Sequence, residues 1–235
     1  MRAALERLDR THTSLNDPYY LVYRSLFADL RWAADTYASG KLLDIGCGNK
    51  PYVEFFQARV SHYLGCDIAQ SDRRAVDLIC AATHIPLRDQ SHDTVFSTQV
   101  IEHVSDHRRL LAEAHRVLKP GGYLILSAPM CWEHHEEPYD FFRFTKFGLQ
   151  YLLDEAGFEV VAMRANGGKW ALVGQMLLNS WRSSFEMRGR RRRLLVGGAY
   201  SLLRAKWLVN LLFGALDRLD ADPVATLNFV VVARR

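Results

Sequence analysis

Leu42-Leu43-Asp44-Ile45-Gly46-Cys47-Gly48-Asn49-Lys50-Pro51 decides how the rest of the chain is read. Leu42, Leu43 and Ile45 make the short apolar run of a strand covered on both faces. Gly46 and Gly48 supply the turn, since a residue without Cβ reaches unusual φ/ψ and lets a ligand approach the backbone. Pro51 suits the first turn of a helix, where its missing N–H costs nothing. A strand, glycine loop and helix at the carboxyl edge of a sheet form a nucleotide-type pocket.

A dinucleotide fingerprint would need a third glycine where Pro51 stands, so a nicotinamide cofactor with Arg73 and Arg74 on a 2′-phosphate is excluded. The acidic follow-up is present: Tyr63-Leu64-Gly65-Cys66-Asp67 reads as a second strand ending in an acid placed to accept from both ribose hydroxyls. At these residues the chain resembles the class I S-adenosylmethionine-dependent methyltransferases, whose first motif looks like Leu43-Asp44-Ile45-Gly46-Cys47-Gly48. Two further stretches are similar to that family: Asp93-Thr94-Val95-Phe96 leading to Val100-Ile101-Glu102-His103-Val104, and Arg116-Val117-Leu118-Lys119-Pro120-Gly121-Gly122. The resemblance implies S-adenosylmethionine as cofactor, held by Asp44, Gly46, Cys47, Gly48, Asp67, Ile68, Ala81, Ala82 and Gln99. One position departs from the pattern. Where the family carries an Asp for the adenine amino group, this chain has Ala81, leaving adenine to backbone groups near Ala81 and Ala82.

The expected fold is α/β, Rossmann-like and doubly wound: a mainly parallel seven-stranded sheet with an antiparallel last strand and a helical insertion before it. Residues 1–39 form an arm and a helix, with Asp17 as N-cap and Pro18 in the first helical position. Residues 40–165 and 223–235 form the core, and 166–222 the insertion. Strands are expected over 42–45, 62–66, 76–80, 93–99, 123–127, 158–163 and 227–233. Helices follow at 52–58, 110–118 and 144–156, the second stopped by Lys119-Pro120-Gly121-Gly122.

The 235 residues, 49% of them apolar, suffice for one large domain with an elaboration. Four scattered cysteines without C-x-x-C spacing read as buried hydrophobes in a reducing compartment. With no apolar leader, the N-terminus points to the cytoplasm. The net charge of +4 is local: Lys169 to Lys206 holds nine Lys/Arg against one acid, Glu186, so that segment carries +8 and the rest −4.

Within the insertion, Leu194 to Leu216 is long and apolar, yet central Arg204 and Lys206 cost more than its aliphatic residues return, which argues against a membrane span. Two readings remain. Leu202, Leu203, Trp207, Leu208, Leu211 and Leu212 dip into a membrane surface beside Arg190 to Arg193, or they cover the acceptor pocket or a homodimer face.

Methyl transfer from a sulfonium mainly requires the acceptor atom to be lined up and, for a hydroxyl, relieved of its proton. The candidate loop is Pro129 to Thr145, rich in ionisable groups and leaving the carboxyl end of a central strand. His135 is the first choice of general base, then His134, then His103, because imidazole titrates near working pH. Trp132, Asp140 and Arg143 are expected at the acceptor, Arg143 either binding an anionic group or pairing with Asp140 as a structural cap. His134, His135, Glu136 and Asp140 also have the chemistry for a cation, but adjacent histidines rarely converge, so no metal is expected.

The passage His135-Glu136-Glu137-Pro138-Tyr139-Asp140-Phe141-Phe142-Arg143-Phe144-Thr145 resembles a methyltransferase subgroup associated with polysaccharide or glycolipid assembly. The resemblance implies O-methylation of a sugar, glycolipid or small metabolite. The alternatives are a quinone-like acceptor and a cofactor-binding domain without transfer. No nucleic-acid partner is expected, because no base-capturing motif is present and the arginine run lacks interleaved aromatics.

Overall fold

Seven strands form one sheet in the computed structural model, which describes residues 8–186 and 204–235. In chain order they are β1 (Gly40–Ile45), β2 (Val60–Asp67), β3 (Leu78–Ile79), β4 (His92–Thr98), β5 (Leu118–Pro129), β6 (Glu159–Asn166) and β7 (Asn228–Arg234). Side by side they run β3-β2-β1-β4-β5-β7-β6, and β7 alone is antiparallel to its neighbours. The expected sheet is therefore present, antiparallel last strand included.

Alternation along the strands sorts side chains onto two covered faces. Leu43, Val95, Leu124 and Val231 face one side, under α3 (His107–Val117) and α4 (Lys146–Glu155). Leu42, Phe96, Ile125 and Val230 face the other, under α1 (Tyr20–Tyr37) and the single-turn α2 (Val53–Phe56). Burying each such side chain stabilises by about 1.5–3 kcal/mol, which is why the central strands read as unbroken apolar runs.

Strand order reverses between β1 and β4: the chain winds from β1 outward through β2 and β3, then returns to β4 on the opposite side of β1. Loops leaving the carboxyl ends at such a switch diverge and open a crevice. The glycine loop after β1 and the turn after β4 both belong to that edge.

Several boundaries differ from expectation for local reasons. Helix α1 starts at Tyr20, because the Asp17 carboxylate accepts from Tyr19 N (2.9 Å) and closes a turn instead of capping the helix. After the glycine loop Pro51 lies in a turn, and left-handed Gly48 and Lys50 leave room for only four helical residues. Lys119 to Gly122 does not stop a helix but begins β5. Pro120 biases Lys119 toward extended backbone, Gly121 sits at φ +80°, and a Cβ on Gly122 would meet Asp93 O at 2.8 Å. The glycines thus let β5 pass close against β4.

Between β6 and β7 stand α5 (Lys169–Glu186) and α6 (Ala205–Leu219), packed on each other and on α1. Asp217 of α6 accepts from Gly168 N (2.9 Å) and Ala171 N (3.0 Å), capping α5 across the insertion. Asn210 of α6 is buried and donates to Leu15 O (3.0 Å) and Asp17 O (2.8 Å). No helix among the described residues is long and apolar enough to cross a membrane. Leu208, Leu211 and Leu212 are exposed. Arg190 to Arg193, Leu202 and Leu203 lie outside the described residues.

Candidate active site

The loop after β1 is built around backbone that only glycine tolerates. Gly46 sits at φ +75°, and a Cβ there would stand 2.3 Å from Val100 Cγ2. Gly46 N and Cys47 N both donate to Cys66 O, carrying the β1–β2 pairing past the strand end. Gly48 N then donates to Asp67 Oδ2 (3.0 Å) and Ala69 N to Oδ1 (3.3 Å), so the loop itself orients the carboxylate at the end of β2. Ile68 beside it is exposed, and Ala81 and Ala82 lie in the turn after β3, where Ala81 O accepts from His84 N.

Asp44 is buried below this loop and accepts from the Tyr63 hydroxyl (2.5 Å). Burial pushes its carboxyl up to about 7, against the opposing pull of the Tyr63 hydrogen bond and the Lys50 charge. A buried acid held near neutrality is suited to a cationic ligand group.

After β4 the backbone turns through Gln99, at φ +53°, whose amide donates to Ser127 Oγ on β5 (3.0 Å). The turn Ile101–His103 follows. Glu102 is wholly buried at 0% exposure, and neither carboxylate oxygen finds a hydrogen-bond partner on another of the described residues. Desolvation holds its carboxyl up at about 8. His103 Nδ1 lies 3.0 Å from Tyr139 O, so that nitrogen carries the hydrogen and Nε2 keeps its lone pair. Nε2 faces Glu102 Oε1 and Glu136 Oε2, each at 3.9 Å.

The loop after β5 folds back over this turn, with Phe141 N and Phe142 N donating to Glu102 O. That return places His135 edge-on to His103, ring centroids 4.7 Å apart. Asp140 Oδ2 accepts from His135 N (3.1 Å) and is 3.5 Å from Nδ1 of the same ring. His134 instead faces solvent, its side chain 86% exposed beside Glu137.

Asp140 and Arg143 are occupied with each other, at 2.6 and 2.8 Å. Arg143 also donates to the carbonyls of Trp132, Glu133 and Phe142, and its hydrogen bonds hold the Asp140 carboxyl down at about 2. The pair thus ties the carbonyls of this loop together. Trp132 packs with Tyr19 of the α1 entry (6.1 Å between rings), and Arg182 of α5 pairs with Glu133. Through Arg182 the insertion borders the loop.

Residues 43–126 match the family model described as a methyltransferase domain. The stretch runs from the glycine strand to the middle of β5. It is a class I S-adenosylmethionine-dependent methyltransferase domain.

Among curated relatives, the chain is 30% identical over 105 residues to tRNA (carboxymethyluridine(34)-5-O)-methyltransferase of Arabidopsis thaliana, covering 41% of this chain and 25% of that protein. It is 32% identical over 105 residues to 27-O-demethylrifamycin SV methyltransferase of Amycolatopsis mediterranei, covering 38% and 39%. The chain spans only about a quarter to two fifths of those relatives' lengths. A crystal structure of a SAM-dependent methyltransferase from Archaeoglobus fulgidus superposes with TM-score 0.57 at 16% identity, over 88% of this chain and 92% of that one, a likeness of fold.

S-adenosylmethionine is the cofactor of this domain class, and the residues of the crevice fit it. The oriented Asp67 carboxylate matches a ribose diol, the glycine loop offers close backbone approach, and buried Asp44 suits an ammonium. At the position where the family pattern has its adenine-binding acid, the chain carries Ala81, in the turn after β3. Of the three histidines singled out in the sequence, the domain brings His103 and His135 together and leaves His134 outside. Glu102 is the member that sequence reasoning passed over. Its signal is a lone acid in the apolar run Val100-Ile101-Glu102-His103-Val104 at a strand's carboxyl end.

Proposed function

We propose that this chain is an S-adenosylmethionine-dependent O-methyltransferase acting on a hydroxyl of a small molecule or a glycan- or lipid-linked sugar. The observation that carries the reading is the cluster of buried Glu102 with half-buried His103 and His135. Val100, two residues before Glu102, is the side chain a Gly46 Cβ would strike, so the cluster begins within one side chain of the cofactor loop.

When bound, the cofactor supplies an electrophilic methyl carbon whose bond to sulfur breaks with its electron pair returning to sulfur. The chain's own contribution is threefold. Asp67 and the glycine loop fix the nucleoside end, and Asp44 receives the ammonium. The post-β5 loop, clamped by Arg143, borders the acceptor position. The histidine pair with Glu102 lowers the cost of removing the acceptor's proton, which general acid–base chemistry values at about 10²–10⁴ in rate.

Both relatives' names print a methylated oxygen, which supports an oxygen acceptor. One of them acts on tRNA by its name, so a nucleic-acid acceptor is the second reading. The exposed Leu208, Leu211 and Leu212 of α6 support a lipid-linked acceptor met at a membrane surface.

The test uses S-adenosylmethionine labelled in its methyl group, offered with three pools: water-soluble metabolites, extracted lipids and tRNA. Label is expected in the lipid or metabolite pool, lost with His103→Ala or His135→Ala and retained with His134→Ala. Label in tRNA alone would overturn the acceptor class. Flotation with anionic vesicles at low salt is expected to carry the chain upward, less so after Leu208, Leu211 and Leu212 become Ser. A chain that stays in the soluble fraction would remove the membrane-surface element.

A further inference from the structure

We propose that Glu102, His103 and His135 form a binding site for a divalent transition-metal cation. Each offers one ligand atom, and these atoms lie within 4.8 Å of one another. The three come from two separate segments, the turn after β4 and the loop after β5, which backbone bonds from Phe141 and Phe142 to Glu102 O hold together.

Glu102 is the decisive observation. Its side chain is fully buried, and its two oxygens lack any hydrogen-bond partner on another described residue. Leaving such a group unsatisfied is costly, and native structures give it a partner. Arg143 is near enough to be felt electrostatically, yet its hydrogens are committed to Asp140 and to three carbonyls. A bound cation would supply the missing partner.

The imidazoles are set up in the manner of metal ligands. His103 gives its Nδ1 hydrogen to Tyr139 O, which fixes the ring and turns the Nε2 lone pair toward Glu102 Oε1, 3.9 Å away. Ligating histidines typically donate their other N–H to a carbonyl or carboxylate in this way. His135 has Asp140 Oδ2 beside its Nδ1, and Asp140 is itself locked by Arg143. Glu136 Oε2 also lies 3.9 Å from His103 Nε2.

Two imidazoles with carboxylate oxygen select ions of the Mn²⁺ to Zn²⁺ series over Mg²⁺ or Ca²⁺, which prefer oxygen alone. The sequence expectation of no metal rested on His134 and His135 being adjacent. Here the second histidine comes from Val100-Ile101-Glu102-His103 instead.

The catalytic consequence rests on the proposed methyl transfer: a bound cation would polarise the acceptor hydroxyl in place of an imidazole base, so that its proton leaves to solvent as the oxygen takes the methyl from sulfur, with no change in the metal's oxidation state. The binding site itself is independent of that reading, and its test reads metal directly.

Mn²⁺ is titrated into the chelator-stripped full chain and followed by the electron paramagnetic resonance of the free ion, with Zn²⁺ as competitor. One tight Mn²⁺ per chain is expected, displaced by Zn²⁺ and weakened at least about tenfold in Glu102→Gln and again in His103→Gln. S-adenosylhomocysteine affinity is read on each variant, and its retention shows that the fold survives. A chain that binds S-adenosylhomocysteine but neither ion, or a Glu102→Gln variant that holds Mn²⁺ as wild type does, would overturn the site. Metal binding without any methyl transfer would support the site and count against the proposed activity alone.

Discussion

Asp67 and Asp44, two acids at the same crevice, are prepared for opposite duties. Asp67 is held by two backbone N–H groups at the mouth, ready to accept from a diol. Replacing it by Ala is expected to weaken S-adenosylhomocysteine binding by about 1.5–3 kcal/mol, the size of hydrogen bonds to a charged group. Calorimetry checks this, and an unchanged affinity would remove the ribose assignment. Asp44 is prepared by burial. Its folded-state carboxyl titrates at about 7 against an ordinary 3.8, so the free protein holds a proton there that the unfolded chain has already lost. Between those values Asp44 costs stability as pH rises, whereas a cationic ligand favours its charged form. Cofactor affinity is therefore expected to rise from about pH 6 to about pH 8, with a proton released on binding below 7. Asp44→Asn should flatten that dependence, readable by calorimetry in buffers of different ionisation heat. Asp67 was legible because its distance from the glycine loop is a spacing fixed by one βαβ unit. Glu102 was not, because what makes it chemical is the burial imposed by Phe141 and Phe142 folding back from a distant loop.

At the scale of elements, the strands were legible and several of their ends were not. Leu42, Leu43 and Ile45, or Val230, Val231 and Val232, have no role except as a strand buried on both faces, and that is how they fold. Lys119-Pro120-Gly121-Gly122 carries the marks of a helix stop, yet the same proline and glycines serve a strand start once β4 lies 2.8 Å from where a Cβ would be. The capping of α5 by Asp217 spans about fifty residues of sequence, beyond any local signal. The contact of α5, α6 and α1 turns on Gly174, where a Cβ would sit 2.6 Å from Phe213 and 2.7 Å from Leu21. Gly174→Val is expected to destabilise the chain by about 1–3 kcal/mol through overpacking. Urea unfolding checks it: a lowered midpoint at unchanged slope is predicted, and no shift would mean that these helices do not pack as described.

For the whole molecule, the order of the strands sets where the chemistry lies. Because the winding reverses at β1 and β4, the glycine loop and the Glu102–His103 turn open onto one crevice, and the loop after β5 closes it from the third side. Everything proposed about the acceptor depends first on that crevice binding the sulfonium cofactor. The direct measurement is calorimetric titration of the full chain with S-adenosylmethionine, S-adenosylhomocysteine and NADPH, repeated on Gly46→Val, whose side chain would collide with Val100. The account predicts one site for each sulfur compound, none for NADPH, and loss of binding in the variant. NADPH binding in place of S-adenosylhomocysteine, or undiminished binding by Gly46→Val, would contradict it.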